Sequence, residues 1–143
     1  MARHHPGRTP ESLILDRKAR TQTIERQIAD CIPGQTDVRQ SVNGALFTCA
    51  GGDRQWVGGA DVATEGPADM DSIVELLLQQ WDGRDGWVAR GRSDPAGLPT
   101  AEIVGRDGKG YLVARGTTAD EVTIILSSRC FPVPNGFSGA GSW

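Results

Sequence analysis

No run of apolar residues in this chain approaches the roughly 20 that a membrane-spanning helix requires. Its first ten residues, MARHHPGRTP, hold no hydrophobic segment of the kind a signal peptide carries. Histidine is nearly missing too: the only two, His4 and His5, lie in that N-terminal stretch. A Ser-His-Asp or Cys-His hydrolase needs a base beside its nucleophile, so that chemistry is not expected. Cysteine is sparse, with Cys31, Cys49 and Cys130 and no CxxC pair, which argues against a tetrahedral zinc site or dithiol redox chemistry. A surplus of one charge sign is also lacking. The 15 Lys and Arg are interspersed with 18 Asp and Glu, for a net charge of −3, so no continuous basic face is expected and nucleic-acid binding is disfavoured. The local excess in DRKAR (16–20), with Arg26 beyond it, reads as the solvated face of an early helix.

The glycine clusters AGGD, GRDG and VGRDGKG do not match the phosphate-loop pattern, and none stands between a strand and a following helix. They read as hairpins and connectors. Acidic pairs at Asp69 and Asp71, Asp82 and Asp85, and Asp120 and Glu121 fall at helix ends or turns, where carboxylates cap helices or face water. No catalytic residue, metal site or cofactor is assigned.

What is present suits one domain. The 143 residues suffice to bury roughly two thirds of the surface that the unfolded chain exposes. An apolar fraction of 38% beside 19 glycines fits a globular core with many turns. Thr9-Pro10-Glu11-Ser12 has the form of a helix start, with a hydroxyl cap, proline at the first position and an early acid. Ile24, Ile28, Cys31 and Ile32 share one helical face, and Pro33-Gly34 stops the run; the first half, around LILDRKAR, is less regular and reads as a frayed segment or linker.

From TDVRQSV to NGALFTC the pattern turns β-like, interrupted at Asn43-Gly44, a pair suited to positive φ; RQWVGGADVAT then completes a hairpin. Met70, Ile73, Val74, Leu77, Leu78 and Trp81 recur at i, i+3, i+4, i+7, i+8 and i+11, opened by Pro67 and Asp69 and closed by Gly83. That stripe predicts a second helix at the centre of the core. WVARGR, TAEIVGR, GYLVARG and EVTIILSS follow as four strands joined by links too short for parallel crossovers.

The expected fold is therefore α+β: two helices on one face of a mostly antiparallel sheet, in the order α-β-β-α-β-β-β-β. The expected boundaries are a flexible N-terminus at 1–9, one domain at 10–131 and a flexible tail at 132–143, from which Phe137 and Trp143 could dock.

Cys49 and Cys130 each end a strand. If those strands are neighbours a disulfide is geometrically reasonable, and the apolar Met70–Trp81 helix would lie as a lid over that rim. Cys31 to Cys49, Cys31 to Cys130, and three reduced thiols remain alternatives; with Cys49 and Cys130 bonded, Cys31 is expected to be a buried thiol. Trp81 and Trp87 are expected to fold over the core. Trp56 lies mid-strand: inward it is core, and outward, beside Arg54 or Arg90, it would form a partner surface.

The hairpin TCAGGD, the stretch GRDGWVARGRSD and the closing SSRCF resemble a loose group of small secreted proteins and lipoprotein ectodomains of actinobacteria, mostly of unknown function; the likeness runs from about Thr21 to Phe131. An export signal normally precedes the first helix in that group, whereas here none is visible and no acylated cysteine can be assigned. The resemblance implies an extracytoplasmic location. The leading expectation is thus a non-enzymatic secreted or membrane-anchored domain that binds a protein or cell-envelope partner through its open sheet face. The alternative is an intracellular small-ligand-binding domain or a protein using Cys49 or Cys130 as a redox thiol, with Arg129 as the local cation.

Overall fold

In the computed structural model, which describes residues 9–143, helix α1 spans Pro10–Asp30. The expected N-terminal segment, Thr9 excepted, lies outside the described residues. Thr9 caps α1: its side chain accepts from the Ser12 amide at 3.1 Å, and Ser12 Oγ accepts from the Thr9 amide at 2.9 Å. The LILDRKAR half is not frayed. It continues the helix, buries Ile14 completely, and sends the Lys18 ammonium to the Val42 carbonyl.

Three strands follow, β1 (Gln35–Gln40), β2 (Ala45–Thr48) and β3 (Arg54–Thr64), then helix α2 (Met70–Trp81), then β4 (Val88–Ser93), β5 (Pro99–Val104), β6 (Gly110–Arg115) and β7 (Glu121–Ser127). The segment before β3, expected as one strand, is two. β3 is 11 residues long, and β1 and β2 pair end to end along the same edge of it. The break at Gly44 is made by crowding rather than by positive φ. A Cβ there would lie 2.4 Å from the Val57 carbonyl oxygen and 2.5 Å from the Trp56 ring.

All pairings are antiparallel, in the order β1-β3-β7-β6-β5-β4 with β2 also on β3. After β3 the chain passes through α2 to the far edge, and β4 to β7 then return strand by strand until β7 closes on β3. Alternation places Ala60, Val62, Val122, Ile124, Leu126, Val113, Tyr111, Ile103 and Ala101 on one buried face.

Both helices cover that face: α1 lies on β1, β3 and β7, and α2 on β4, β5 and β6. Asp69 caps α2 through the Ser72 amide at 3.2 Å, and Gly83, at φ +77, turns the chain away after it. Met70, Ile73, Val74, Leu77 and Trp81 are buried as the stripe predicts, and each large side chain is worth roughly 1.5–3 kcal/mol of transfer free energy. Trp81 meets Trp87 edge-on at 5.4 Å, and Trp87 meets Tyr111 at 5.9 Å. Both tryptophans fold over the core as expected.

Cys49 and Cys130 form a disulfide with Cα atoms 6.4 Å apart. Their strands are not direct neighbours. Thr48 and Phe131 flank Arg54 from its two sides, so the bond arches over the first residues of β3 and ties together the segments on either side. The expected lid is also different, because α2 lies over the other half of the sheet. This rim is covered instead by the C-terminal segment. Arg54 donates to the carbonyls of Phe137 and Ser138, Gly44 and Trp143 exchange main-chain hydrogen bonds, and Phe137 packs on Trp143 at 6.2 Å.

Candidate functional site

With both helices on one face, the other face of the sheet has no cover within the described residues. Strand register assigns its rows. One row runs Val88, Val104, Gly110, Ser127, Val57 and Ala45; the next runs Arg90, Glu102, Leu112, Ile125 and Gly59. Gly110 has no side chain, so the apolar neighbours stand around a shallow depression of about 250 Å³, walled by Val57, Val104, Leu112 and Ile125. Ile125 is 50% exposed, Val88 52% and Phe47 53%, large values for apolar side chains gathered on one face.

Charges frame this strip on two sides. On the β4 side Glu102 pairs with Arg90 at 3.3 Å and also with Arg92. On the β1 side Arg39 lies 3.6 Å from Glu121 and 3.8 Å from Asp37, and Asp61 accepts from Thr123 Oγ1 at 3.2 Å. The strip thus has an apolar centre and a rim of ion-paired, partly solvated groups.

The three residues named as a conditional partner surface do not meet. Trp56 points inward and is fully buried; its ring rests where Gly44 and Gly58 carry no side chain, its Nε1 donates to the Trp143 main-chain oxygen at 3.0 Å, and its amide donates to Ser128 Oγ at 2.9 Å. Arg54 is engaged by the C-terminal segment. Only Arg90 lies on the open face. Cys31, expected buried, is half-buried at the end of α1, its thiol directed at the Gln27 carbonyl. In the disulfide, neither Cys49 nor Cys130 is a lone thiol.

The acidic pairs serve local structure. Asp82 accepts from the Ala89 amide at 3.1 Å, Asp69 caps α2, Asp120 accepts from Thr118 Oγ1 at 2.7 Å, and Glu121 accepts from Thr117. Among the described residues no group of three or more His, Cys, Asp or Glu is placed to hold a metal ion; His4 and His5 lie outside them.

One buried acid was not legible beforehand. Glu25 of α1 is fully buried against the sheet, accepts from Gln40 Nε2 at 3.1 Å through one oxygen, and leaves the other without a partner. Burial pushes its carboxyl up to about 7, partly offset by the Gln40 hydrogen bond. Close by, the Tyr111 hydroxyl donates to the Thr21 carbonyl at 2.9 Å; burial, then the Glu25 charge, raises the phenol's pKa. Its only possible sequence signal was an acid at i+4 from Thr21 and i−3 from Ile28, on the apolar stripe of α1.

Comparison with protein-family models, with curated proteins and with solved structures finds no match to this chain.

Proposed function

We propose that this chain is a non-enzymatic domain that works outside the cytoplasm, secreted or held at the cell surface, and docks a protein partner on the open face of its sheet. The observation that carries the reading is the apolar strip from Val88 across Val104, Leu112 and Ile125 to Val57. It has a central depression, and neither helix covers it. The partner would seat one apolar side chain over Gly110 and meet the Arg90–Glu102–Arg92 cluster with polar groups of its own. The extracytoplasmic location is supported by the Cys49–Cys130 bond, which persists in oxidising compartments, and by the resemblance noted above.

The test is site-specific photo-crosslinking in the native host, with the probe at position 125 on the open face and, as a control, at Leu15, which is 52% exposed on α1. A discrete protein adduct from position 125, absent from position 15 and competed away by excess unlabelled domain, is expected. Adducts of equal yield from both positions, or none at 125, would refute the docking face.

A further inference from the structure

On the opposite side of the molecule, three segments distant in sequence enclose a small polar cleft of about 160 Å³. α1 supplies Arg17, Arg20 and Thr21, the β5–β6 turn supplies Asp107 and Lys109, and the residue pair after β7 supplies Arg129. Four cations thus face one carboxylate, in a chain whose net charge is −3. Two of those cations have local partners. Arg20 pairs with Asp16 at 3.1 Å, and Lys109 with Asp107 at 3.6 Å while resting 5.0 Å from the centre of the Trp87 ring.

Arg17 and Arg129 have none. Among the described residues neither side chain makes an ion pair or a hydrogen bond, and in both the Nε is shut off from solvent without an acceptor. Buried donors are almost always satisfied, because an unpartnered one retains its full desolvation cost. Two guanidiniums lining one small cleft, neither ion-paired, also repel each other. Burial, then the charges of Arg129 and Arg20, hold the Arg17 guanidinium below its ordinary pKa, against the opposing pull of Asp16 and Asp107.

A ligand that relieves all of this must be anionic, doubly charged to answer two free guanidiniums, small, and rich in acceptor oxygens for their fork-shaped donors. We infer that the cleft between α1, the β5–β6 turn and Arg129 binds a phosphate group, with Arg17 and Arg129 as its principal ligands and Lys109 and Arg20 around it. The phosphate is either inorganic or the terminal monoester of a small molecule. The site is separate from the open sheet face, so it stands or falls independently of the docking proposal.

The experiment is a titration of the full chain at constant ionic strength with inorganic phosphate, with glycerol phosphate as the monoester and with sodium chloride as control, read by calorimetry and by the arginine Nε–Hε resonances in ¹H–¹⁵N NMR spectra. Saturable binding of at least one phosphate probe is expected, with shifts concentrated at Arg17 and Arg129. Arg129→Gln and Arg17→Gln should weaken it by roughly tenfold or more, and Arg90→Gln on the opposite face should leave it unchanged. Binding of inorganic phosphate alone assigns the free ion, and tighter binding of glycerol phosphate assigns a monoester. The inference is overturned if neither probe saturates, if chloride produces the same response, or if the shifts spread over Arg90 and Arg92. The wild-type spectra decide this even if a variant fails to fold.

Discussion

The indole nitrogen of Trp56, at the start of β3, donates to the main-chain oxygen of Trp143 at 3.0 Å, joining residues 87 positions apart. The ring is accommodated because Gly44 and Gly58 present no side chain to it, and the last residues of the chain complete its enclosure. An alanine Cβ at position 58 would lie 2.3 Å from the ring, and one at 44 would also strike the Val57 carbonyl. Gly44→Ala is the harsher change because backbone must move. It should destabilise the domain by about 1–3 kcal/mol, and deleting residues 132–143 should do so by about 2–3 kcal/mol through re-exposure of the indole. Urea midpoints, together with a red-shifted tryptophan emission in the truncated chain, check both.

The disulfide closes a separation of 81 residues. In a chain-entropy treatment this stabilises the fold by at most about 4.5 kcal/mol. Reduction, or paired Cys49→Ser and Cys130→Ser substitution, should lower the denaturant midpoint, while Cys31→Ser should leave it nearly unchanged. Equal midpoints with and without reductant would mean that the bond constrains nothing.

Glu25 ties stability to pH. Its carboxyl titrates at about 7 when folded and near 4.5 when unfolded, so between those values the folded state holds a proton that the unfolded state has lost. Stability from this group is full below about pH 4.5, falls as pH rises, and is lost above about 7, a change on the order of 3 kcal/mol. Glu25→Gln keeps an oxygen for Gln40 and carries no charge. The variant should match the wild type near pH 4 and exceed it at pH 8 by roughly 1–3 kcal/mol, as measured by denaturation at the two pH values. A variant less stable at pH 8 would contradict the assignment.

Ile125 is half exposed in the middle of the open face, so its removal should disturb contact far more than folding. Ile125→Asp should change stability by less than about 1.5 kcal/mol, and the unlabelled variant in excess should fail to compete away the adduct formed by the probe at position 125. Its buried neighbour Ile124 supplies the contrast: Ile124→Ala should cost about 2–5 kcal/mol.

What was legible in the sequence was whatever depends on local chemistry. The Thr9 cap, the six-residue stripe of α2 and the turn at Asp107-Gly108 each announce themselves within a dozen residues, and short links made the four last strands antiparallel. Illegible features need two distant segments at once. β1 and β2 share an edge only because β3 is long enough to serve both. The inward direction of Trp56 depends on glycines at 44 and 58 and on Trp143, and Arg17 gains its significance only when Arg129 arrives beside it. Position along the chain gave Cys49 and Cys130 a shared rim, but not the strand that runs between them.

The account of an exported domain, stapled across β3 and presenting a bare sheet face, is tested most directly by thiol mapping of the protein produced in its native host. Alkylation without reductant followed by peptide mass spectrometry should show Cys49 and Cys130 in one linked peptide pair and Cys31 as the sole alkylated cysteine. Three alkylated thiols in the natively produced protein would contradict it.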